Sequence, residues 1–118
     1  KLFSNQIVKM NSYDHKSFHI AGVGLNNFTH YILSITKGYC ESNNLKTEYL
    51  TNLLMQTVNN SFYVDGALNM QTGPARRGDV KIIKEHIERL DNSPKYQNIY
   101  KAISQLILDE FHENQFKL

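Results

Sequence analysis

The sequence is poor in several features that would assign a protein to a particular class. Its one cysteine, Cys40, cannot form an internal disulfide. No apolar run approaches the roughly 20 residues that a membrane-spanning helix requires. Basic residues exceed acidic residues by only 13 to 11, without the surplus expected of a protein that binds nucleic acid phosphates. We therefore predict one cytoplasmic domain that binds neither nucleic acid nor a membrane.

What the chain does contain is apolar residues at steps of three and four, the pattern of amphipathic helices. The predicted fold is all-α, a bundle of about four helices with one long N-terminal helix, each hiding one stripe in a shared core. The first helix runs from Tyr13 to about Cys40 and is capped by Ser12. The other three run from Thr47 to about Val64, from Asp79 to about Leu90, and from Pro94 or Lys95 through Phe111. Before them, Gln6 to Met10 has the composition of a short strand.

Polar residues on the first helix form the first candidate site. With 3.6 residues per turn, His19, Val23, Asn26 and His30 line up on one face, which could equally be a solvated surface. Gly22 and Gly24, in the helix interior, favour the close approach of another helix or a ligand, because glycine is costly there. His15 and His19 are spaced as metal ligands on helices are, but the glutamate of the zinc protease pattern is missing, so we predict no metal.

The second candidate site is the only long connection, which contains Gly73, Pro74, Arg76, Arg77 and Gly78. It places two guanidinium groups directly before a helix N-terminus, where free N–H groups and the helix dipole favour an anion. His86 follows two turns into that helix. A phosphate or carboxylate contact is one interpretation. The other is that an arginine pairs with a nearby acidic residue and Asp79 only caps the helix.

Three segments together carry a family resemblance. They are His19-Ile-Ala-Gly-Val-Gly-Leu-Asn-Asn27-Phe28-Thr29-His30, Gln71-Thr-Gly-Pro-Ala-Arg-Arg-Gly-Asp79, and His86 with Leu90. In order and spacing they resemble the C-terminal domain of the Rossmann-like oxidoreductases catalogued as domain of unknown function 2520. That family is similar in plan to pyrroline-5-carboxylate reductase and the hydroxyacid dehydrogenases. The predicted fold accordingly resembles the C-terminal domain of the 6-phosphogluconate dehydrogenase type.

The resemblance implies the domain plan and the partners. Residues 1–12 would be the tail of a missing N-terminal Rossmann domain, and residues 13–118 a helical C-terminal domain for substrate binding and dimerisation. The chain itself has no glycine fingerprint between a strand and a helix. NAD(P) would therefore be bound mainly by the N-terminal domain, and no cofactor is expected in this fragment. The partners would be a second copy, the Rossmann domain of the same chain, and a small keto, imino or hydroxy acid.

The resemblance also implies roles for individual residues. The hydroxyacid dehydrogenases carry a catalytic lysine one turn before an asparagine pair, but here Val23 stands in its place before Asn26 and Asn27. His19 or His30 could replace the lysine as general acid, because imidazole titrates near neutral pH. The residues expected to bind substrate or an anion are Asn26, Asn27, Arg76, Arg77 and His86. The alternative is a non-catalytic helical module that only dimerises or binds a partner.

Overall fold

The structure is a computed structural model of the chain that describes residues 11–63 and 67–118, without the side chains of residues 62 and 63. Every regular element in these two ranges is helical, which confirms the predicted all-α fold. No helix in them has the length and apolar character needed to cross a membrane. The strand predicted for Gln6 to Met10 and the helix end predicted at Val64 lie outside the described residues.

The helices lie close to where the apolar periodicity predicts them. In chain order the elements are α1 (Ser12–Gly22), a π turn (Val23–Asn27), α2 (Phe28–Ser42), α3 (Glu48–Tyr63), a 3₁₀ turn (Leu68–Met70), α4 (Pro74–Arg77), α5 (Val80–Arg89) and α6 (Pro94–His112). The predicted first helix corresponds to α1, the π turn and α2. Its cap is Asn11 rather than Ser12, because the Asn11 side chain accepts a hydrogen bond from the Asp14 N–H at 2.9 Å.

The chain divides into two compact units, residues 1–34 and 35–118. In the first unit, neither α1 nor the π turn contains a buried residue. Large apolar side chains lie exposed along this segment instead. The solvent-exposed fractions are 62% for Leu25, 61% for Phe28 and 42% for Ile32. These side chains form an exposed apolar stripe on the described part of the first unit.

The core of the second unit lies between α4, α5 and α6. Ala75, Ile83 and Leu108 form a buried cluster, and Ile83 and Leu108 are almost completely inaccessible to solvent. Residues 90–93 connect α5 to α6, and α6 begins at Pro94, since proline is well tolerated in the first turn of a helix. Gln97 fastens the two helices together, because its Nε2 donates to the Ile87 carbonyl at 2.7 Å.

The expectation of one core shared by four helices is wrong for α3. None of residues 48–61 in that helix is buried, and among the described elements α3 packs closely only against the 3₁₀ turn. Leu50, Leu53 and Val58 remain exposed. The spacing correctly predicts an apolar face, but spacing does not determine what covers that face.

Candidate functional site

The candidate residues of the first helix surround a break in its α-helical geometry. Val23 to Asn27 form a π turn, in which the Phe28 N–H bonds to the Val23 carbonyl, five residues back. A π turn contains one more residue than an α turn and is frequent at functional sites. Asn26 and Asn27 belong to this turn, and Gly22 and Gly24 lie in or beside it. A side chain at either glycine would meet nothing within 4 Å, so close packing among the described residues does not explain them.

The π turn alters the alignment predicted for this helix. That alignment assumes 3.6 residues per turn throughout, whereas one extra residue delays the rotation by about 100° for everything that follows. His30 is therefore rotated relative to His19 and no longer lies directly in line with it. His19, Asn26, Asn27 and His30 are all exposed. No side chain among these four makes a hydrogen bond or ring contact with the rest of the described chain.

The two-arginine segment, residues 73–78, is an ordered helical turn rather than an open loop. Gly73 begins it with φ of 98°, and Gly78 ends it with φ of 73°, conformations that strongly favour glycine. The Asp79 N–H returns to the Pro74 carbonyl at 2.8 Å, and Ala75 is buried in the core. The backbone that carries Arg76 and Arg77 is therefore fixed by the glycine conformations at its two ends and by the burial of Ala75 in the core.

Asp79 occupies the helix N-terminus that the sequence suggested for an anion. Its carboxylate accepts a hydrogen bond from the Ile82 N–H at 3.3 Å and caps α5, as predicted. Because the carboxylate of the protein already lies there, the end of α5 offers an external anion less than the sequence suggested. What remains available for an anion in this segment is the pair of arginine side chains.

The two arginines have different surroundings. The guanidinium of Arg76 lies 4.1 Å from the centre of the Phe111 ring, a cation–π contact. Its carbonyl accepts a 3.0 Å hydrogen bond from Nε2 of His112. Arg77 is exposed, and nothing within residues 11–63 and 67–118 forms an ion pair or hydrogen bond with its side chain. The alternative in which a neighbouring acidic residue neutralises these arginines finds no such pair in the described chain.

His86 has a partner that the sequence did not predict. Its Nδ1 shares a 2.6 Å hydrogen bond with the hydroxyl of Tyr100, and the two rings meet edge to face with centres 5.7 Å apart. Burial, together with the nearby Tyr96, raises the pKa of Tyr100 above its ordinary value of 10.0. The Tyr100 hydroxyl therefore keeps its proton at neutral pH.

The pairing with Tyr100 separates His86 from Arg76. Tyr100 and Phe111 are both on α6, eleven residues apart, which corresponds to about 16 Å along the axis. Since His86 contacts Tyr100 and Arg76 contacts Phe111, one small acid does not reach both. His86 and Arg76 therefore lie at separate places on the second unit.

Three neighbours of the candidate residues were not predicted from the sequence, namely Tyr100, Phe111 and His112. A signal for Tyr100 was present, because α5 and α6 form a hairpin and residues 86 and 100 are equally far from Ser93 at its tip. No comparable signal marks His112, whose contact depends on how α4 folds onto α6.

The sequence matches the family described as Domain of unknown function (DUF2520) over residues 1–107. The chain belongs to this family. The resemblance carried by the histidine–asparagine segment and the two-arginine segment is thereby confirmed.

The comparison with solved structures adds to this finding. The chain is similar to a protein from Bacteroides fragilis described as a putative NADP oxidoreductase, with a TM-score of 0.82 and 28% sequence identity. The similarity covers 89% of this chain but only 40% of that one, so the chain spans less than half the length of the relative. The comparison with curated proteins found no match.

Proposed function

We propose that this DUF2520 chain is the substrate-binding and dimerisation domain of an NAD(P)-dependent oxidoreductase that acts on a small keto, imino or hydroxy acid. The supporting observation is the similarity to the Bacteroides fragilis protein across 89% of the chain, at 40% of that protein's length. The remaining length of such a protein is ample for a dinucleotide-binding domain, and this domain would hold the cofactor. The chain alone is then inactive.

A thermal-shift screen of the full-length protein tests this proposal. The candidates are NAD(H) and NADP(H), each alone and then with a panel of small keto, imino and hydroxy acids. A ligand that binds only the native state, present at 100 times its Kd, stabilises it by about 2.7 kcal/mol. We expect one dinucleotide to raise the melting temperature and one acid class to raise it further. No shift with any dinucleotide would contradict the proposal and favour the non-catalytic module.

Within this function, Arg77 is our candidate for the contact to the acid. Its backbone is fixed by Ala75 and Gly78, while its guanidinium has no partner in the described chain. A guanidinium fork matches a carboxylate in a bidentate pair. Arg77→Gln should abolish the acid-dependent part of the thermal shift and leave the dinucleotide part. Lys101→Gln, an equal change of charge at an exposed position of α6, is the control that should change neither part.

His30 is our first candidate for the general acid, with His19 second. His30 lies within one turn of the asparagine pair, whereas His19 is about 10 Å along the axis from Asn26. Both are exposed, and an imidazole can donate a proton near neutral pH. His30→Gln should lower kcat by about a hundredfold or more and change its pH dependence, while His19→Gln should have the smaller effect. The reverse order would transfer the role to His19.

A second copy of the chain is our candidate for the surface that covers the apolar stripe on the first helix. The stripe includes Leu25, Phe28 and Ile32, all substantially exposed, and burying each such side chain contributes roughly 1.5–3 kcal/mol. Leu25→Asp should shift the full-length protein toward monomer in analytical ultracentrifugation. Leu106→Asp is the control, because Leu106 is 68% exposed on α6, away from that helix in sequence. Equal dissociation by both variants, or a monomeric wild type, would contradict this assignment.

A further inference from the structure

A cavity on the α5–α6 hairpin is distinct from the two-arginine segment. It has a volume of about 290 Å³ and is open to solvent. Its walls are formed by Tyr39, His86, Arg89, Leu90, Tyr96 and Tyr100. This volume is at the lower end of the range for ligand pockets, roughly 300–1,000 Å³. The cavity is therefore sized for a small molecule.

The aromatic walls of the cavity form a connected series of rings. Tyr39 meets Tyr96 edge to face, with ring centres 5.4 Å apart and ring planes at 88°. The ring of Tyr96 is tilted against that of Tyr100, with centres 6.5 Å apart. Tyr100 in turn meets His86. Aromatic edges and faces favour a flat partner, because offset and edge-to-face contacts between rings stabilise beyond simple area burial. The buried side chain of Leu90 adds an apolar surface. The lining of the cavity therefore favours a planar ligand over a flexible polar ligand.

Arg89 supplies the only formal charge among the six lining residues. It lies in the last turn of α5, where a cation is favoured by the helix dipole. Glu85 is one turn earlier, yet no ion pair joins it or any other acidic residue of the described chain to Arg89. An exposed guanidinium that lines a cavity can form two parallel hydrogen bonds with a carboxylate.

The hydrogen-bonded pair of His86 and Tyr100 supplies hydrogen-bond donors to the lining of the cavity. Because Tyr100 keeps its hydrogen at neutral pH, the pair can always present an N–H or O–H. If the hydroxyl donates to Nδ1, the proton of His86 is on Nε2; if Nδ1 donates, the hydroxyl hydrogen is left for a ligand. In either arrangement one N–H or O–H donor of the pair remains for an acceptor on a ligand in the cavity.

From these observations we infer that the cavity binds a small planar carboxylate, of the size and shape of an aromatic acid. The carboxylate would pair with Arg89, the flat body would lie against Tyr39 and Tyr96, and a ring substituent or second oxygen would accept a hydrogen bond from the His86–Tyr100 pair. This is a second ligand site. It is about 16 Å along α6 from the Arg76 contact and does not depend on the proposed oxidoreductase activity.

Isothermal titration calorimetry of the full-length protein with benzoate, benzamide and cyclohexanecarboxylate tests this inference. We expect saturable benzoate binding, with at least tenfold weaker binding of benzamide, which lacks the charge, and weaker binding of cyclohexanecarboxylate, which is not flat. Arg89→Gln should weaken benzoate binding at least tenfold, as for loss of a charge-assisted pair. Tyr96→Ala should weaken it through loss of the wall. Lys84→Gln, the same change of charge at an exposed position of α5, should leave it unchanged.

Other outcomes would overturn the inference. They are the absence of saturable benzoate binding, equal binding of benzoate and benzamide, and equal losses in Arg89→Gln and Lys84→Gln. Loss of benzoate binding in Arg77→Gln, with Arg89→Gln unaffected, would place the probe at the two-arginine segment instead. Circular dichroism of each variant separates a lost contact from a lost fold.

Discussion

Gly78 is the position at which adding one methyl group should most clearly test the described packing. It ends α4 in the left-handed region, with φ of 73° and ψ of 24°. A Cβ there would lie 3.1 Å and 3.2 Å from two atoms of the His112 ring and 3.3 Å from the Phe116 ring. Gly78→Ala therefore imposes both backbone strain and a steric conflict with two side chains of the C-terminal segment.

The magnitude follows from three contributions. The left-handed conformation costs an alanine about 1–2 kcal/mol, and displacing packed rings costs about 1–3 kcal/mol. The reduced freedom of the unfolded chain offsets roughly 0.4–1 kcal/mol of this. We expect Gly78→Ala to lower the free energy of unfolding by about 1–5 kcal/mol.

Two other glycines separate these effects in urea unfolding followed by circular dichroism. Gly73 has φ of 98° but open space around its Cβ position, so Gly73→Ala should show strain alone, about 1–3 kcal/mol. Gly38, in α2, has neither strain nor a neighbour, so Gly38→Ala should stabilise by about 0.5–1 kcal/mol. In a His112→Ala background the cost of Gly78→Ala should fall, because one conflicting ring is gone.

The refuting result is specific. If Gly78→Ala is as stable as wild type, the left-handed conformation and the packing argued for Gly78 are both incorrect. If Gly78→Ala costs the same with and without His112, the steric conflict with that ring is incorrect, although the strain argument survives.

Three further predictions concern the same unit. Asp79→Ala should cost about 1 kcal/mol by removing the cap of α5, and Asp79→Asn should retain most of that stability; equal losses would contradict capping. Ile83→Ala should cost about 2–5 kcal/mol, since Ile83 is fully buried, whereas the exposed Leu106→Ala should cost far less in the same urea series. Because the pKa of Tyr100 is raised in the folded protein, its contribution to stability is present below pH 10 and is lost as pH rises through the folded pKa. Tyr100→Phe should remove that alkaline loss, and an unchanged pH profile would refute it.

Much of the local structure could be predicted because it depends on near neighbours. The cap of α5 by Asp79 and the start of α6 at Pro94 both follow from side chains within one turn of the helix end. The four long helical segments follow from apolar spacing alone. The identity of the N-cap of α1 differs by one residue, since Asn11 and Ser12 are both good caps and only the backbone decides between them.

What could not be predicted depends on contacts between distant residues. The π turn at Val23–Asn27 has no counterpart in the apolar pattern, which fits three-and-four steps with or without the extra residue. The sequence predicts a loop where the helical turn Pro74–Arg77 lies, because Gly73 and Gly78 flank it so closely. Its stability comes from Ala75 in the core and from His112, both of which require the tertiary fold.

The candidate site shows the same division. Sequence identified both segments that carry polar groups, and the family match supports the resemblance on which they were chosen. It grouped His86 with the arginines, because spacing along α5 cannot show that Tyr100 of α6 holds this imidazole. Separating Arg76, which stacks on Phe111, from the exposed Arg77 likewise required the packing of α4 on α6.

The most direct test of the central claim is a steady-state assay of the full-length protein, with Arg77→Gln and Lys101→Gln in parallel. It measures NADPH and NADH oxidation with the keto and imino acids, and NADP⁺ and NAD⁺ reduction with the hydroxy acids. We predict turnover of one acid class, with Arg77→Gln lowering kcat/KM at least tenfold, mainly through KM, and Lys101→Gln unchanged. Absence of turnover with every acid and both cofactors, or turnover indifferent to Arg77, would contradict the account.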